Sequence, residues 1–508
     1  MNPDILKIAA DPDPHEQRFS RFRLIQWWDQ ARLSQARVLV VGAGALGNEI
    51  IKNLALLGVG QILIADRDQV EHSNLSRSIL FRASDNGKPK SQVAASAARD
   101  IYPRIIAHAF VGNVVYDLGL GAFRWADVVL GGLDNREARL AINRACWKVG
   151  TPWIDGAIEQ IQGVARVFSP HGDGPCYECT MSETDWKLLA MRRSCNLLSR
   201  AEMEQGKTPT TPTIASLIAA VQCQEAVKIL HGMETFAGRG WVFEGLTADS
   251  YPVQYQRKHD CLSHSPLEEI ISLDVAADAF SARQLLDLAR QHLGPQAQLE
   301  LNRDVLERLV CPRCQFDEEL FFSLGRVSAE KALCPHCGHP RRDVRTFHQI
   351  TGAESFLDRP LAALGIPPFD IITARLGPRQ VGFELSADAP AVLGPLSARG
   401  ESLPDFASEL NGEAFARQLE FEDFWQILLA ASKVESAVAR ALDAGEPAHV
   451  ARYAFQLAQG FANFYEKYPI LPEKVRERKV FLLWMTRFFR RQLERTASIL
   501  GIQIPEYM

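Results

Sequence analysis

No stretch of this chain reaches the roughly 18 unbroken apolar residues that a membrane span requires. The N-terminus, MNPDILKIAADPDPHEQRF, lacks the apolar core of a secretion signal. The expected location is therefore the cytoplasm, with no membrane partner. An excess of charge of one sign is also missing: 56 Lys+Arg face 61 Asp+Glu, a net charge of −5. That balance argues against a wholly basic nucleic-acid binder and leaves room for a local basic patch. The 508 residues suffice for about three domains at roughly 150 residues each, and 47% hydrophobic content lets each bury a core.

What is present in unusual order is cysteine. Disulfides are disfavoured in a reducing compartment, yet six of the ten cysteines fall in Cys-x-x-Cys pairs: Cys176/Cys179, Cys311/Cys314 and Cys334/Cys337. Metal ligation is the reading that this spacing supports.

The first domain opens on chemistry that is legible in the residues. Ala36 to Val41 (ARVLVV) reads as a buried strand. Gly42-Ala43-Gly44-Ala45-Leu46-Gly47 follows at once, and then an apolar-periodic helix from Glu49 to Leu57. Glycines let backbone approach phosphates, and a helix N-terminus offers N–H groups and a positive dipole end. Alone the pattern is equally open to NAD, FAD or ATP. A second strand, Gln61 to Ala65, ends in Asp66-Arg67-Asp68, acidic residues suited to a ribose hydroxyl, and Asn74, Arg77 and Lys90 follow. An NAD site has no need for Arg77 and Lys90; a nucleoside triphosphate does, because its phosphate charge must be offset as it is attacked.

With VGAGALG, DRDQVEHSNLSR, GKPK and Gly132-Leu133-Asp134-Asn135 in this order, the chain resembles the E1-like activating family (ThiF, MoeB and HesA proteins and the adenylation domains of ubiquitin-type E1 enzymes) from about Arg18 to Gly232. The resemblance implies a Rossmann-like fold and an ATP-dependent adenylyltransferase acting on the C-terminal glycine of a ubiquitin-like or sulfur-carrier protein. It implies that Asp66 holds the ribose, that Asn74, Arg77 and Lys90 hold phosphates, and that Asp134 is associated with Mg²⁺. Arg18-Phe19-Ser20-Arg21 matches the family's N-terminal Arg-x-x-Arg, so Arg21 is expected to reach the ATP of a partner subunit in a homodimer. Ser78 departs from the glutamine that many members carry there.

In the family, a second Cys-x-x-Cys completes the zinc site begun at Cys176/Cys179. Here that place reads Cys261-Leu-Ser-His264, which implies a Cys₃His site of Cys176, Cys179, Cys261 and His264, with His259 as the alternative fourth ligand. Cys311, Cys314, Cys334 and Cys337 form an independent zinc-ribbon pattern, structural because four protein ligands leave no open position. Cys146 and Cys223 lie in apolar helices and read as buried small hydrophobes. Cys195 sits beside Arg192 and Arg193 in the segment that in the family is the crossover loop. There it is expected to take the activated carboxyl as a thioester, before any hand-over to an E2-like protein.

After the adenylation domain, placed at 1–265, residues 266–398 read as an α+β module, possibly β-grasp-like, with the inserted zinc ribbon. Residues 399–508 read as an all-α bundle. Helical spacing is clear over Phe424 to Leu442, His449 to Tyr465 and Val475 to Leu500. Tyr453 to Leu471 and Leu500 to Met508 resemble the C-terminal anticodon-binding (DALR-type) domain of arginyl-tRNA synthetases, although the HIGH and KMSKS signatures of such enzymes are missing. The cations between Lys474 and Arg495, with Trp484, Phe488 and Phe489 nearby, read either as a track for an RNA backbone or as a solvated face over an aromatic core. Two functions follow: activation of a carrier protein, or an E1-like tRNA modification of the ATP-dependent dehydratase type with the tail binding tRNA.

Overall fold

The strand read from ARVLVV is β1 (Arg37–Val41), four of whose five residues are buried. It lies inside a sheet covered on both faces, which is why it shows a continuous β-branched run rather than alternation. The computed structural model describes residues 18–187, 209–323, 329–340, 342–397, 412–419, 422–468, 470, 473 and 475–500. Further strands are β2 (Gln61–Asp66), β3 (Ile106–Val111), β4 (Val128–Gly131), β5 (Trp153–Glu159), β6 (Gln162–Phe168), β7 (Arg239–Glu244) and β8 (Asp249–Gln254). They form one sheet in the order β3-β2-β1-β4-β5-β6-β7-β8. The first five run parallel and the remainder form an antiparallel meander.

The strand order reverses between β1 and β4. Side by side in the sheet, they send their onward connections in opposite directions, β1 to β2 and β4 to β5, and so open a crevice at their carboxyl ends, the usual ligand position in such sheets. The helix Ala45–Leu57 leaves β1 there. On one face of the sheet it packs with the helix Pro212–Leu230. That second helix is long and apolar enough by composition to cross a membrane. Here it lies against β5 and β6, where the buried Gln222 donates to the carbonyls of Gly131 and Ile154.

A second sheet comprises β9 (Ile270–Leu273), β10 (Gln298–Val310), β11 (Asp317–Ser323), β12 (Asp343–Ile350), β13 (Ile371–Leu376) and β14 (Arg379–Leu385). Its order is β11-β10-β13-β14-β9, with β12 also paired to β10 and the helix Ala282–Leu293 covering it. This α+β module shares a core with the first sheet, because Leu267, Phe369 and Leu393 pack with Leu120, Phe123 and Trp147. The buried Asp370 accepts from the Leu120 N–H at 2.8 Å, and Arg124 pairs with Glu384 at 2.6 Å. Residues Arg21–Ala398 thus form one compact unit.

The other unit joins Arg399–Met508 with Met1–Ser20. Its described helices are Gly412–Leu419, Glu422–Ala431, Val434–Ala444, Ala448–Lys467 and Arg476–Ile499. The single helix expected over Phe424 to Leu442 is broken at Ser432-Lys433. There the Ser432 hydroxyl donates to the Leu429 carbonyl, and the Tyr453 hydroxyl donates to the terminal carbonyls of Ala430 and Ala431. Phe424, Phe464, Phe481 and Phe489 are buried in one aromatic core, with Trp484 and Phe488 packed against it. Lys474, Leu471 and the end of the chain after Leu500 lie outside the described residues.

Candidate active site

The glycine turn is forced by two contacts. Gly42 sits at φ +90°, and a side chain there would meet the Gly132 carbonyl oxygen at 2.4 Å. A Cβ on Gly47 would stand 1.8 Å from the Gly42 oxygen. No larger residue fits either place, so backbone alone lines this corner. Gly44 is the N-cap of the helix Ala45–Leu57 and makes no side-chain cap, which leaves the helix N-terminus to serve a ligand.

Around this turn a cleft of about 1980 Å³ is lined by Gly42, Gly44, Asp66, Asp68, Asn74, Arg77, Lys90 and Asp134, so the structure brings these sequence-predicted residues together, while Gly47 is buried and does not line it. Asp66 accepts from the Ala43 N–H at 2.6 Å and the Asp68 N–H at 2.7 Å, which fixes its carboxylate at the end of β2. Burial pushes the Asp66 carboxyl up, against the pull of the Ala43 N–H and the Lys90 ammonium. The Lys90 Nζ stands 3.2 Å from the Asp68 carboxylate, on a side chain only 12% exposed. Asn74 is committed to structure as well, since its side-chain oxygen accepts from the Glu71 N–H at 2.9 Å. Arg77 donates to the Ser73 carbonyl at 2.6 Å. Asp134 is exposed at the end of β4, one residue before Asn135, whose side-chain oxygen caps the helix Arg136–Val149. It offers the hard oxygen donor that Mg²⁺ prefers. Arg21 is exposed and does not line the cleft. Cys195 lies outside the described residues.

Beside the cleft, Cys176, Cys179, Cys261 and His264 bring one ligand atom each to within 4.8 Å of every other. The Sγ atoms of Cys176 and Cys179 are 3.8 Å apart, those of Cys176 and Cys261 3.5 Å, and Cys179 Sγ is 3.6 Å from His264 Nε2. A tetrahedron with metal–sulfur bonds of about 2.3 Å has edges of about 3.8 Å, so the set has the dimensions of a zinc cage. Hydrogen bonding with Cys261 holds the Cys176 thiol down, to about 5. His259 is exposed and is not part of this set. Cys311, Cys314, Cys334 and Cys337 form a second such cluster, with Sγ distances of 3.6 Å (Cys311 to Cys337) and 3.7 Å (Cys314 to Cys334). Cys146 and Cys223 are buried, and burial pushes both thiols up, the latter to about 12.

The profile of the ThiF family matches residues 16–263, and that of the DALR anticodon binding domain matches residues 397–508. The SAMP-activating enzyme E1 of Haloferax volcanii is 32% identical over 243 residues, which cover 46% of this chain and 81% of that protein. The sulfur carrier protein ThiS adenylyltransferase of Escherichia coli is 31% identical over 232 residues, covering 46% of this chain and 87% of that protein. The chain belongs to the ThiF family. Its ThiF domain is an E1-like, ATP-dependent adenylyltransferase, joined here to a DALR domain. A crystal structure of E. coli MccB aligns with 48% of the chain and 74% of its own length, at a TM-score of 0.41 and 22% identity.

Three features of the ThiF domain's site escape the motif reading. Asn48, fully buried, donates to the Ala43 and Gly44 carbonyls and accepts from the Leu80 N–H, tying the glycine turn to the Arg77 segment. Asp155, fully buried on β5, is clasped between Arg139 and Arg166, and Arg139 also donates to the carbonyls of Leu133 and Gly156. Arg166 lies over the ring of Tyr177, which sits in sequence between Cys176 and Cys179. An acidic residue inside the apolar run Trp153–Ile158 is the one sequence signal of this triad.

Burial opposes ionisation of Asp155, but Arg166 and Arg139 outweigh it and hold the carboxyl below its ordinary range. A depressed carboxyl contributes stability that is present above its unfolded pKa and lost as pH falls through its folded value. Asp155→Asn leaves two buried guanidiniums without their charge partner. It is expected to destabilise the ThiF domain by about 3–5 kcal/mol at neutral pH. The loss should shrink in acid, below about pH 4 where the unfolded carboxyl protonates. Denaturant melts of both proteins across pH measure it; a neutral-pH loss under 1 kcal/mol would show that the triad does not stabilise the domain.

Proposed function

We propose that this chain uses ATP to adenylate the C-terminal carboxylate of a ubiquitin-like or sulfur-carrier protein. The observation that carries the reading is the convergence on one backbone-lined corner of Asp66, Lys90, Arg77 and Asp134. The named activities of the H. volcanii and E. coli relatives support the substrate class. In the reaction, a carboxylate oxygen attacks the α-phosphorus, the bond to the bridging oxygen breaks, and pyrophosphate leaves. The glycine turn allows close approach of the phosphates, Asp66 orients the ribose, and Arg77 and Lys90 offset charge on the leaving group. Asp134 would hold Mg²⁺, which supplies charge neutralisation at the phosphate oxygens. Zinc is the metal that suits both cysteine clusters, in a structural role. A thioester on Cys195, transfer to an E2-like protein, and a homodimer in which Arg21 reaches the partner's nucleotide are further parts of the proposal.

A second reading, modification of tRNA, is favoured by one observation, the DALR match over residues 397–508. Arg490, Arg491 and Arg495 lie at the surface of the last helix. Phe489, however, is wholly taken up by the aromatic core, and Trp484 and Phe488 stack there in parallel at 5.4 Å. The test is exchange of labelled pyrophosphate into ATP, which requires a carboxylate acceptor and should be stimulated by a carrier protein.

A further inference from the structure

The cleft is much larger than its nucleotide. Small-molecule pockets run to roughly 300–1,000 Å³, whereas this one reaches about 1980 Å³. Part of the excess passes over β5, β6 and β7, lined by Glu159, Val164 and Val242, and part extends along the helix Arg136–Val149. From Asp134 the cleft follows one face of that helix, through Glu137, Ala141 and Arg144 to Lys148, spaced four, three and four residues apart. At a rise of 1.5 Å per residue, the 14 residues of that helix extend the cleft by roughly 20 Å, the length of about six residues of extended polypeptide.

The far end is closed by the α+β module. Between Glu300 and Val305, β10 loses register with β12, advancing five residues while its neighbour advances two (Gln349 to Phe347). Such a bulge re-aims side chains, and here it brings Asn302 into the cleft. Its amide is locked: Nδ2 donates to the Ile371 carbonyl at 2.7 Å, and Oδ1 accepts from Lys148 Nζ at 2.9 Å. The other cations at this end already have carboxylates, Arg303 with Asp370 at 3.1 Å and Arg375 with Glu300 at 2.7 Å. Among the described residues, the Lys148 ammonium has only the neutral Asn302 oxygen as hydrogen-bond acceptor. Burial depresses it, with Glu300 and Asp370 pulling the other way through space. A half-buried ammonium without a bonded anion, at the end of a peptide-length groove, is a receptor for one carboxylate.

Resting on the adenylation reading, we propose that this far half of the cleft binds the extended C-terminal tail of the carrier protein, with Lys148 taking the side-chain carboxylate of an Asp or Glu about six residues before the terminal glycine. The groove suits a peptide better than a polyphosphate backbone, because Glu137, Glu300 and Asp304 also line it. The α+β module thereby becomes the part of the chain that selects the carrier.

Two synthetic heptapeptides ending in Gly-Gly, one beginning with Asp and the other with Asn, test this by fluorescence anisotropy on the full chain with a non-hydrolysable ATP analogue. The Asp peptide should bind at least about tenfold more tightly, a difference of about 1.4 kcal/mol. Lys148→Met should erase the difference, and Lys148→Glu should reverse it, binding the Asn peptide more tightly than the Asp peptide. The analogue's own affinity, read on the same samples, reports folding of each variant. Equal binding of the two peptides, binding of neither, or a preference that survives Lys148→Met would overturn the proposal. So would a Lys148-dependent affinity for bulk tRNA in place of the peptides. Pyrophosphate exchange driven by a whole carrier reads the adenylation reaction separately and can succeed while this subsite fails.

Discussion

Lys90→Ala should lower ATP–pyrophosphate exchange by about 10²–10³-fold, the scale of losing one preorganised charge stabiliser from a partly buried site. Lys90 opens the helix Lys90–Ile101, and its N–H bonds the Asp68 carbonyl at 2.9 Å, so its backbone is fixed against the end of β2. Its ammonium is then held 3.2 Å from Asp68 with little solvent access. Asp66 and Asp68 alone would repel a triphosphate, and the Lys90 ammonium beside Asp68 offsets part of that negative charge. The loss should fall mainly on kcat, because charge on the leaving pyrophosphate grows in the transition state. Lys90→Arg keeps the charge but not the ammonium's compactness, and should recover part of the rate. Steady-state exchange for the three proteins decides this. A Lys90→Ala enzyme within a fewfold of wild type would remove Lys90 from the chemistry.

The second large effect is on stability. On the proposal that each cysteine cluster holds one zinc ion, Cys179→Ser should halve the zinc content, measured by elemental analysis, and unfold the ThiF domain or lower its melting temperature steeply. Structural zinc contributes about 10–16 kcal/mol in small zinc peptides, comparable with the roughly 5–15 kcal/mol that holds a whole domain together. The damage should spread to the cleft. Glu178, between the two cysteines, bonds Arg144 at 3.1 Å and accepts from the Ser263 hydroxyl, while Tyr177 packs under Arg166. Cys314→Ser should remove the other zinc and leave this one in place. Full metal content in Cys179→Ser would show that the first cluster holds no ion.

The elements around the glycine turn were legible because each is locally determined. A β-branched run, glycines that no other residue can replace, and an apolar period of 3.6 specify strand, turn and helix without help from the rest of the chain. The Cys311–Cys337 cluster was legible for a similar reason, since Cys-x-x-Cys spacing is itself a geometry, whereas Cys261 and His264 joined Cys176 and Cys179 only through the family resemblance. Long-range pairing is different. Asn48 looks like an ordinary polar helix residue until Leu80, 32 positions away, is seen to donate to it. Asp155 meets Arg139 and Arg166 only because β5 lies between β4 and β6. Lys148 reads as a surface cation at a helix end, and acquires meaning only when the bulge of β10 places Asn302 upon it. The break at Ser432-Lys433 was hidden because apolar spacing continues through it, while the hydrogen bonds that end one helix come from Ser432 itself and from Tyr453.

One measurement bears most directly on the whole account: exchange of labelled pyrophosphate into ATP by the purified chain, supplied in turn with ubiquitin-like or sulfur-carrier proteins and with bulk tRNA. Exchange stimulated by a carrier with its C-terminal glycine intact, and lost when that glycine is removed, is the expected result. Stimulation by tRNA alone, with every carrier inert, would contradict it.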